Sequence, residues 1–161
     1  MAVWHYKCSL VPYSTEEPLN KVLDKDGFIP SIKEDWEVMD TGKRLLKHID
    51  KSLKSTKSWS EDILMFGSKD NRLEIALFEN SNNVEYVSVR MDLRTNDWQS
   101  FLLRLIPLCE KLRLKVYDCY SFYIFEANAG TFKNSITSSN AAKFVTNPEK
   151  FLTSINRADD A

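Results

Sequence analysis

The chain has 161 residues, of which 43% are hydrophobic and 12% aromatic, and its formal net charge at pH 7 is −1. This composition excludes a disordered chain, because it supplies enough apolar surface for a folded core. The near-zero net charge excludes a general electrostatic affinity for nucleic acid, and no apolar run reaches the roughly 20 residues that cross a bilayer. We therefore expect one domain over residues 1–161 that does not enter a membrane.

The N-terminal stretch and the cysteines both indicate a cytoplasmic protein. Residues 1–7 lack the basic start and the apolar centre of a signal peptide. Cys8, Cys109 and Cys119 are an odd set, lie far apart in apolar segments and form no C-x-x-C pair. This spacing indicates neither a zinc site nor a redox-active pair. We expect reduced, buried thiols and no bound metal or cofactor.

The first third of the chain predicts a strand followed by two helices. Residues 3–12 alternate in polarity, which is typical of a strand. A short helix is predicted at residues 18–23, followed by a loop over residues 27–40 that Trp36 anchors. A second helix is predicted from Asp40 or Thr41 to Leu53, with its leucines on one side and its lysines on the other. We expect the first strand to bury the side chains of Trp4, Tyr6, Cys8 and Leu10.

Three consecutive strands are predicted in the middle of the chain, at residues 63–66, 73–78 and 84–93. Before them, residues 55–58 are expected to form an exposed connection. The links between the strands are short and rich in Asn and Asp, which is typical of hairpin turns and predicts antiparallel pairing. In the third strand we expect one face to be buried and the other to meet water. The predicted buried side chains are Val87, Val89, Met91 and Leu93, and the predicted polar ones are Tyr86, Ser88, Arg90 and Asp92.

The last third predicts an amphipathic helix over residues 98–112, capped by Asn96 or Asp97 and bent at Pro107. A closing hairpin at 114–117 and 122–125, a helix through 141–145 and a last helix from Asn147 are predicted next. We expect residues 156–161 to be a frayed tail. The predicted fold is α+β, with a mainly antiparallel sheet of five to six strands, the order β-α-β-β-β-α-β-β-α and helices packed on one face.

A search for catalytic groups finds no recognisable constellation. The only histidines are His5 and His48, and neither accompanies a nucleophile motif, so we interpret both as structural or surface residues. The four glycines of the chain exclude a glycine-rich phosphate loop. The sequence therefore favours a protein that is not an enzyme.

The polar side of the predicted sheet is the best candidate for a binding surface, because tyrosine and arginine are enriched at interface hot spots. An equally favoured alternative is that these residues only solvate an open sheet face or lie under another helix. Within the polar side, Arg90, Asp92 and Arg94 are expected to project from one strand face, about 6.5–7 Å apart. They form either a polar cleft for a small ligand or substrate, or a charge ladder that stabilises the strand end. The candidate partner-binding residues are Arg72, Glu74, Tyr86, Arg90, Asp92 and Arg94.

The basic segment 43–57 is a second candidate, because a row of cations can follow phosphates. No aromatic residues that stack bases are interleaved with these cations, and the preceding residues 16–40 are strongly acidic. A solvated helix face is therefore favoured over nucleic-acid binding. The cations of this segment are Lys43, Arg44, Lys47, Lys51, Lys54 and Lys57.

Three motifs resemble small uncharacterised bacterial proteins, some of which resemble the immunity proteins of polymorphic-toxin systems. They are Trp4-x-Tyr6 with Leu10-Val11-Pro12, the strand from Val87 to Arg94, and the terminal segment from Ala142 to Leu152. The resemblance implies a cytoplasmic protein that binds a cognate toxin and blocks it without catalysis. It assigns no functional residue, and it leaves the identity of the toxin and the oligomeric state open.

Overall fold

Seven strands form one antiparallel sheet in the computed structural model, which describes residues 2–15, 33–118, 120–121 and 123–159. The order across the sheet is β2-β3-β4-β5-β1-β6-β7, so the N-terminal strand lies between two strands that follow it much later in the chain. The strands are β1 (His5–Pro12), β2 (Ser55–Thr56), β3 (Ile63–Gly67), β4 (Asn71–Leu77), β5 (Val84–Asp92), β6 (Leu114–Asp118) and β7 (Ile124–Glu126).

Six α-helices are assigned in the described residues, together with a 3₁₀ turn over Val38–Asp40. The helices α2 and α3 match the two long predicted helices, and α5 and α6 match the two at the end of the chain. No described helix combines the length and the apolar character that crossing a bilayer requires. The helices are α1 (Lys33–Glu37), α2 (Thr41–Ser52), α3 (Asp97–Leu112), α4 (Ala129–Ser138), α5 (Asn140–Thr146) and α6 (Pro148–Asp159).

The α+β class is confirmed, whereas the predicted count of five to six strands is too low. The additional strand is β2, which lies in the segment expected to be an exposed connection. Ser55 pairs with Phe66 and Thr56 with Met65, but two polar residues carry no alternation from which a strand can be predicted. Two helices were also not predicted: α1 lies in the expected loop, and α4 lies between the predicted closing hairpin and the helix predicted through 141–145. The helix predicted at residues 18–23 lies outside the described residues.

The hydrophobic core lies against one face of the sheet. Tyr6, Cys8 and Leu10 of β1 stand in register with Met91, Val89 and Val87 of β5, and all six are buried, as predicted. The helix α2 approaches this face closely at Gly42, where a Cβ atom would lie 3.2 Å from Cγ2 of Val84. Helix residues that complete the same core are Leu45 and Ile49 of α2, Phe101, Leu105 and Cys109 of α3, and Phe132 of α4.

The helix α4 is joined to the core face by a buried polar contact. The hydroxyl of Tyr6 lies 2.8 Å from Oγ of Ser135, and Ser135 donates a hydrogen bond to Oδ2 of Asp118 at 3.3 Å. Because the single Ser135 proton is used toward Asp118, Tyr6 is the donor to Ser135. Burial raises the pKa of Tyr6, which keeps this hydroxyl protonated. The contact ties β1, β6 and α4 together.

The last two helices pack near the start of β1 through an aromatic chain. The ring of Phe144 lies 6.2 Å from that of Trp4 and 5.9 Å from that of Phe151. Ser139 and Asn147 accept hydrogen bonds from backbone amides at the starts of α5 and α6, which agrees with the helix start predicted at Asn147. The helix α6 continues to Asp159, and residues 160–161 of the expected frayed tail lie outside the described residues.

The predicted helix caps differ from the structure. Asp40 and Asn96 occupy the N-cap positions of α2 and α3, but neither side chain makes a capping hydrogen bond, because both backbones are helical or left-handed rather than extended. Pro107 lies inside α3 on its exposed side. Cys8 and Cys109 are buried, as expected, and Cys119 lies outside the described residues.

Candidate functional site

The polar face of the sheet, on the side opposite the core, brings most of the predicted site residues together. Strand register places Arg72 of β4 opposite Arg90 of β5, and Arg90 opposite Lys7 of β1. We call these three residues the cation row. One row away along the strands, Glu74 lies opposite Ser88. Tyr86 and Asp92 share the face of Arg90 by alternation along β5.

This face is half-buried, a point that the sequence left open. The side chains of Arg72 and Glu74 are only 24% and 18% exposed, and Ser9 and Tyr117 on the same face are buried. The sequence could not decide between an exposed and a covered face, because alternation assigns residues to a face but not to a depth. The polar face is a half-buried patch of charged groups.

A short ion pair fixes the β4 part of the polar face. Nε of Arg72 lies 2.5 Å from Oε1 of Glu74, two residues along the same strand. Burial, followed by the nearby carboxylates of Glu74 and Glu85, raises the pKa of Tyr86. Tyr86 therefore keeps its phenolic proton at neutral pH and can donate a hydrogen bond to a partner.

Arg90 is the least compensated charge of the polar face. Its Nη2 donates a 2.8 Å hydrogen bond to the carbonyl of Lys69 in the β4 turn, while its Nε is buried without a hydrogen-bond partner. Among the residues that the structure describes, no carboxylate forms an ion pair with Arg90. Burial, and then the positive charge of Arg72, lowers the pKa of this guanidinium. Burial and Arg72 thus act against the charged form of Arg90, while the carboxylates of Glu74, Asp70 and Asp92 favour it.

Asp92 and Arg94 form a closed pair. Asp92 is 1% exposed, and its carboxylate accepts hydrogen bonds from Nε, Nη2 and the backbone amide of Arg94, the shortest of them 2.6 Å long. These hydrogen bonds hold the pKa of Asp92 below its usual value. The guanidinium of Arg94 also lies 4.1 Å from the centroid of a Trp4 ring.

This geometry corrects the predicted arrangement of Arg90, Asp92 and Arg94 on one strand face. The strand β5 ends at Asp92, so Arg94 lies in the following turn and folds back instead of projecting beside the other two. Two of the three charges neutralise each other, which favours the charge-ladder interpretation over a substrate cleft. Arg94 is still half exposed, at 53% of its side chain.

Sequence reasoning did not assign two residues of this face, His5 and Lys7 of β1. Alternation along β1 placed both residues on one side of that strand. It did not show that this side adjoins Arg90, because β1 and β5 are not consecutive strands and no local signal in the sequence predicts their pairing. Nε2 of His5 lies 3.8 Å from Oδ2 of Asp92. Burial and the charge of Arg90 lower the pKa of His5, against the opposing effect of Asp92.

The basic helix α2 presents a solvated cationic face, as the sequence favoured. Lys43, Lys47 and Lys51 are exposed, and Lys43 forms only a surface ion pair with Asp40 at 3.5 Å. The fold adds Lys111 of α3, whose Nζ lies 3.5 Å from Nδ1 of His48. Burial and these cations, Lys111 first among them, lower the pKa of His48.

The described part of the chain contains no group of three or more His, Cys, Asp or Glu side chains arranged to hold a metal ion. Comparisons with models of protein families, with curated proteins and with solved structures give no match to this chain. The resemblance to immunity proteins therefore stays a prediction.

Proposed function

We propose that the chain is a non-enzymatic protein-binding module, of the immunity type, that binds a cognate bacterial toxin through the polar face and neutralises it. The observation that carries this proposal is the cation row, set in register across three adjacent strands. The partner that this surface fits is a protein with an acidic contact region, because complementary charge speeds docking and selects the partner.

The charges of the polar face leave a positive excess for such a partner. Glu74 partly compensates Arg72, and Asp92 is neutralised by Arg94. Arg90, which forms no ion pair with a carboxylate of the described residues, then contributes positive charge at the centre of the face. An acidic protein surface bound over this region would be attracted by its positive charge. The attraction is stronger than in bulk water, because water is already partly excluded from the half-buried face.

The polar face is also preorganised, which lowers the entropic cost of binding. The ion pair of Arg72 with Glu74 and the hydrogen bond from Arg90 to the Lys69 carbonyl hold both arginines in place before a partner arrives. Tyr86 adds an aromatic ring with a protonated hydroxyl beside them. Arginine and tyrosine in a fixed, half-buried setting are typical of interface hot spots.

The enzymatic alternative has less support in this geometry. Catalysis around Arg90, Asp92 and Arg94 requires at least one group that can face a substrate. Asp92 is almost fully buried and its oxygens are bound by Arg94. The arrangement supports a structural role for this pair.

The test is co-expression of the full chain with the product of a toxin-like gene adjacent to its own. We expect the chain to restore growth and to form a complex with that product in size-exclusion chromatography. Arg90→Glu should weaken the complex at least tenfold, about 1.4 kcal/mol of binding free energy. The matched control is Arg104→Glu, on the exposed side of α3, which should bind like the wild type. A chain that does not bind the toxin, or an Arg90→Glu variant that binds it unchanged, would contradict the proposal.

A further inference from the structure

The cation row is an unfavourable arrangement unless something compensates it. Side chains directly opposite on neighbouring antiparallel strands have Cβ atoms about 4.5–5.5 Å apart, and like charges in such positions destabilise the sheet. Here two such contacts are adjacent, Arg72 with Arg90 and Arg90 with Lys7. Arg90 is the middle member, and the positive charge of Arg72 acts on it.

The compensation available to Arg90 within the described residues is incomplete. Its neighbour Arg72 has the carboxylate of Glu74 at 2.5 Å, whereas Arg90 donates a hydrogen bond to the neutral carbonyl of Lys69 and is acted on by the carboxylates of Glu74, Asp70 and Asp92 without an ion pair to any of them. The Nε of Arg90 is a buried donor without a hydrogen-bond partner, and a buried donor that stays unsatisfied is unfavourable. An anion beside Arg90 would accept from this guanidinium and remove the repulsion along the row.

We propose that the cation row is an oxyanion subsite centred on Arg90, and that its ligand is a carboxylate side chain of the protein partner. This inference rests on the function proposed above. A planar guanidinium matches a carboxylate in a two-point contact, and Lys7 and Arg72 lie on either side of it to share the charge. A single Asp or Glu side chain bound there would fix the register of the partner on the polar face.

The surroundings of the cation row favour a single carboxylate over the phosphates of a nucleic acid. The charges of Glu74, Asp70 and Asp92 all act on Arg90, so acidic groups flank the row. A nucleic-acid strand, with one phosphate on every nucleotide, would be repelled on both sides of the subsite. A single Asp or Glu side chain brings only one negative charge to Arg90 and places no further charge next to the flanking carboxylates.

The test follows the side-chain Nε–H signal of Arg90 by NMR in the full-length protein during titration with glutarate. Sodium chloride at equal ionic strength is the reference. We expect a saturable shift with glutarate, at millimolar concentrations for a single carboxylate contact, and no comparable shift with chloride. Arg90→Gln should remove glutarate binding, Lys7→Gln should weaken it severalfold, and Arg104→Gln should leave it unchanged.

Three results would overturn the inference: glutarate acting no differently from chloride, Arg90→Gln and Lys7→Gln both binding glutarate like the wild type, or oligothymidylate binding more tightly than glutarate. The last result would assign the row to nucleic acid. If glutarate fails while the toxin still binds, the subsite is wrong and the proposed function stands. If glutarate binds in the predicted way and the toxin does not, the proposed function fails and the subsite serves a different carboxylate.

Discussion

Arg94 binds the carboxylate of Asp92 through two side-chain nitrogens and its own backbone amide, although only one residue separates them in the chain. The short separation is possible because β5 ends at Asp92 and the chain turns before α3 begins. The same guanidinium covers a ring of Trp4, whose carbonyl accepts from the amide of Leu93. Arg94 thus joins the end of β5 to the residue that precedes β1.

Asp92→Asn should destabilise the protein at neutral pH. The substitution removes the charge that Arg94 binds and leaves amide protons facing guanidinium protons, at a cost of about 2 kcal/mol in the free energy of unfolding. Because the folded-state pKa of Asp92 is lowered, its stabilising effect is complete above the unfolded pKa near 3.9. The effect is lost as the pH falls below that value toward the folded pKa. Urea unfolding of both proteins between pH 7 and pH 2.5 measures it.

The difference between wild type and Asp92→Asn should therefore shrink as the solution becomes acidic. Asp50→Asn is the control, since Asp50 is exposed on α2, and it should change stability by no more than about 0.5 kcal/mol. An Asp92→Asn penalty that stays constant from pH 7 to pH 2.5 would show that the carboxylate charge does not contribute.

Gly67→Ala should be strongly destabilising, and Gly130→Ala should not. Gly67 has a φ of +109°, and a Cβ there would overlap the carbonyl oxygen of Asn71 and lie 3.0 Å from Cε2 of Phe101. We expect a loss of about 2 kcal/mol or more. Gly130 lies in the first turn of α4, where the nearest atom to a Cβ is Oδ1 of Asn128 at 3.5 Å, so alanine should stabilise by about 0.4–1 kcal/mol. Thermal unfolding should give a lower melting temperature than the wild type for Gly67→Ala and a slightly higher one for Gly130→Ala. Equal changes of melting temperature in the two variants would contradict the prediction.

Tyr6→Phe and Ser135→Ala should each lower stability by about 1 kcal/mol, because each removes the hydrogen bond that Tyr6 donates to Ser135. The double variant should lose less than the sum of the two, with a coupling energy of about 1 kcal/mol. A double-mutant cycle in urea at pH 7 measures this coupling. Strict additivity would mean that the contact between β1 and α4 adds nothing to stability.

Cys109 should resist alkylation in the folded protein. Burial raises its pKa to about 12, so the reactive thiolate is scarce at pH 8 and the thiol is also inaccessible to reagent. Iodoacetamide labelling, followed by peptide mass spectrometry, should be slower than in urea by a factor on the order of a thousand. Comparable rates in the two conditions would place Cys109 at the surface.

The core strands and long helices were predictable because each carries its own local period. Val87, Val89 and Met91 alternate with polar residues, and their burial follows from that pattern. The strand β2 was not predictable, since two polar residues form it only by pairing with β3. Its existence depends on tertiary contacts rather than on propensity.

The candidate site was predicted only in part for a related reason. Arg72, Glu74 and Arg90 fall on one face because their strands are consecutive and their register follows from short turns. Lys7 reaches Arg90 through a pairing between strands that are far apart in sequence. Arg94 leaves the face because the strand ends one residue earlier than alternation suggested, and strand ends are not encoded as sharply as strand interiors.

The central position of β1 determines when the sheet can close during synthesis. A ribosome releases the segment from Tyr6 to Leu10 before either strand that flanks it, β5 or β6, has been made. Until residue 92 has emerged, both edges of β1 are unpaired, and until residue 118 has emerged one edge remains unpaired. A nascent strand with an open edge and an apolar side is the kind of segment that chaperones bind and that aggregates when left uncovered. Slowing translation over residues 93–118 should therefore lower the soluble yield more than slowing it near residue 150.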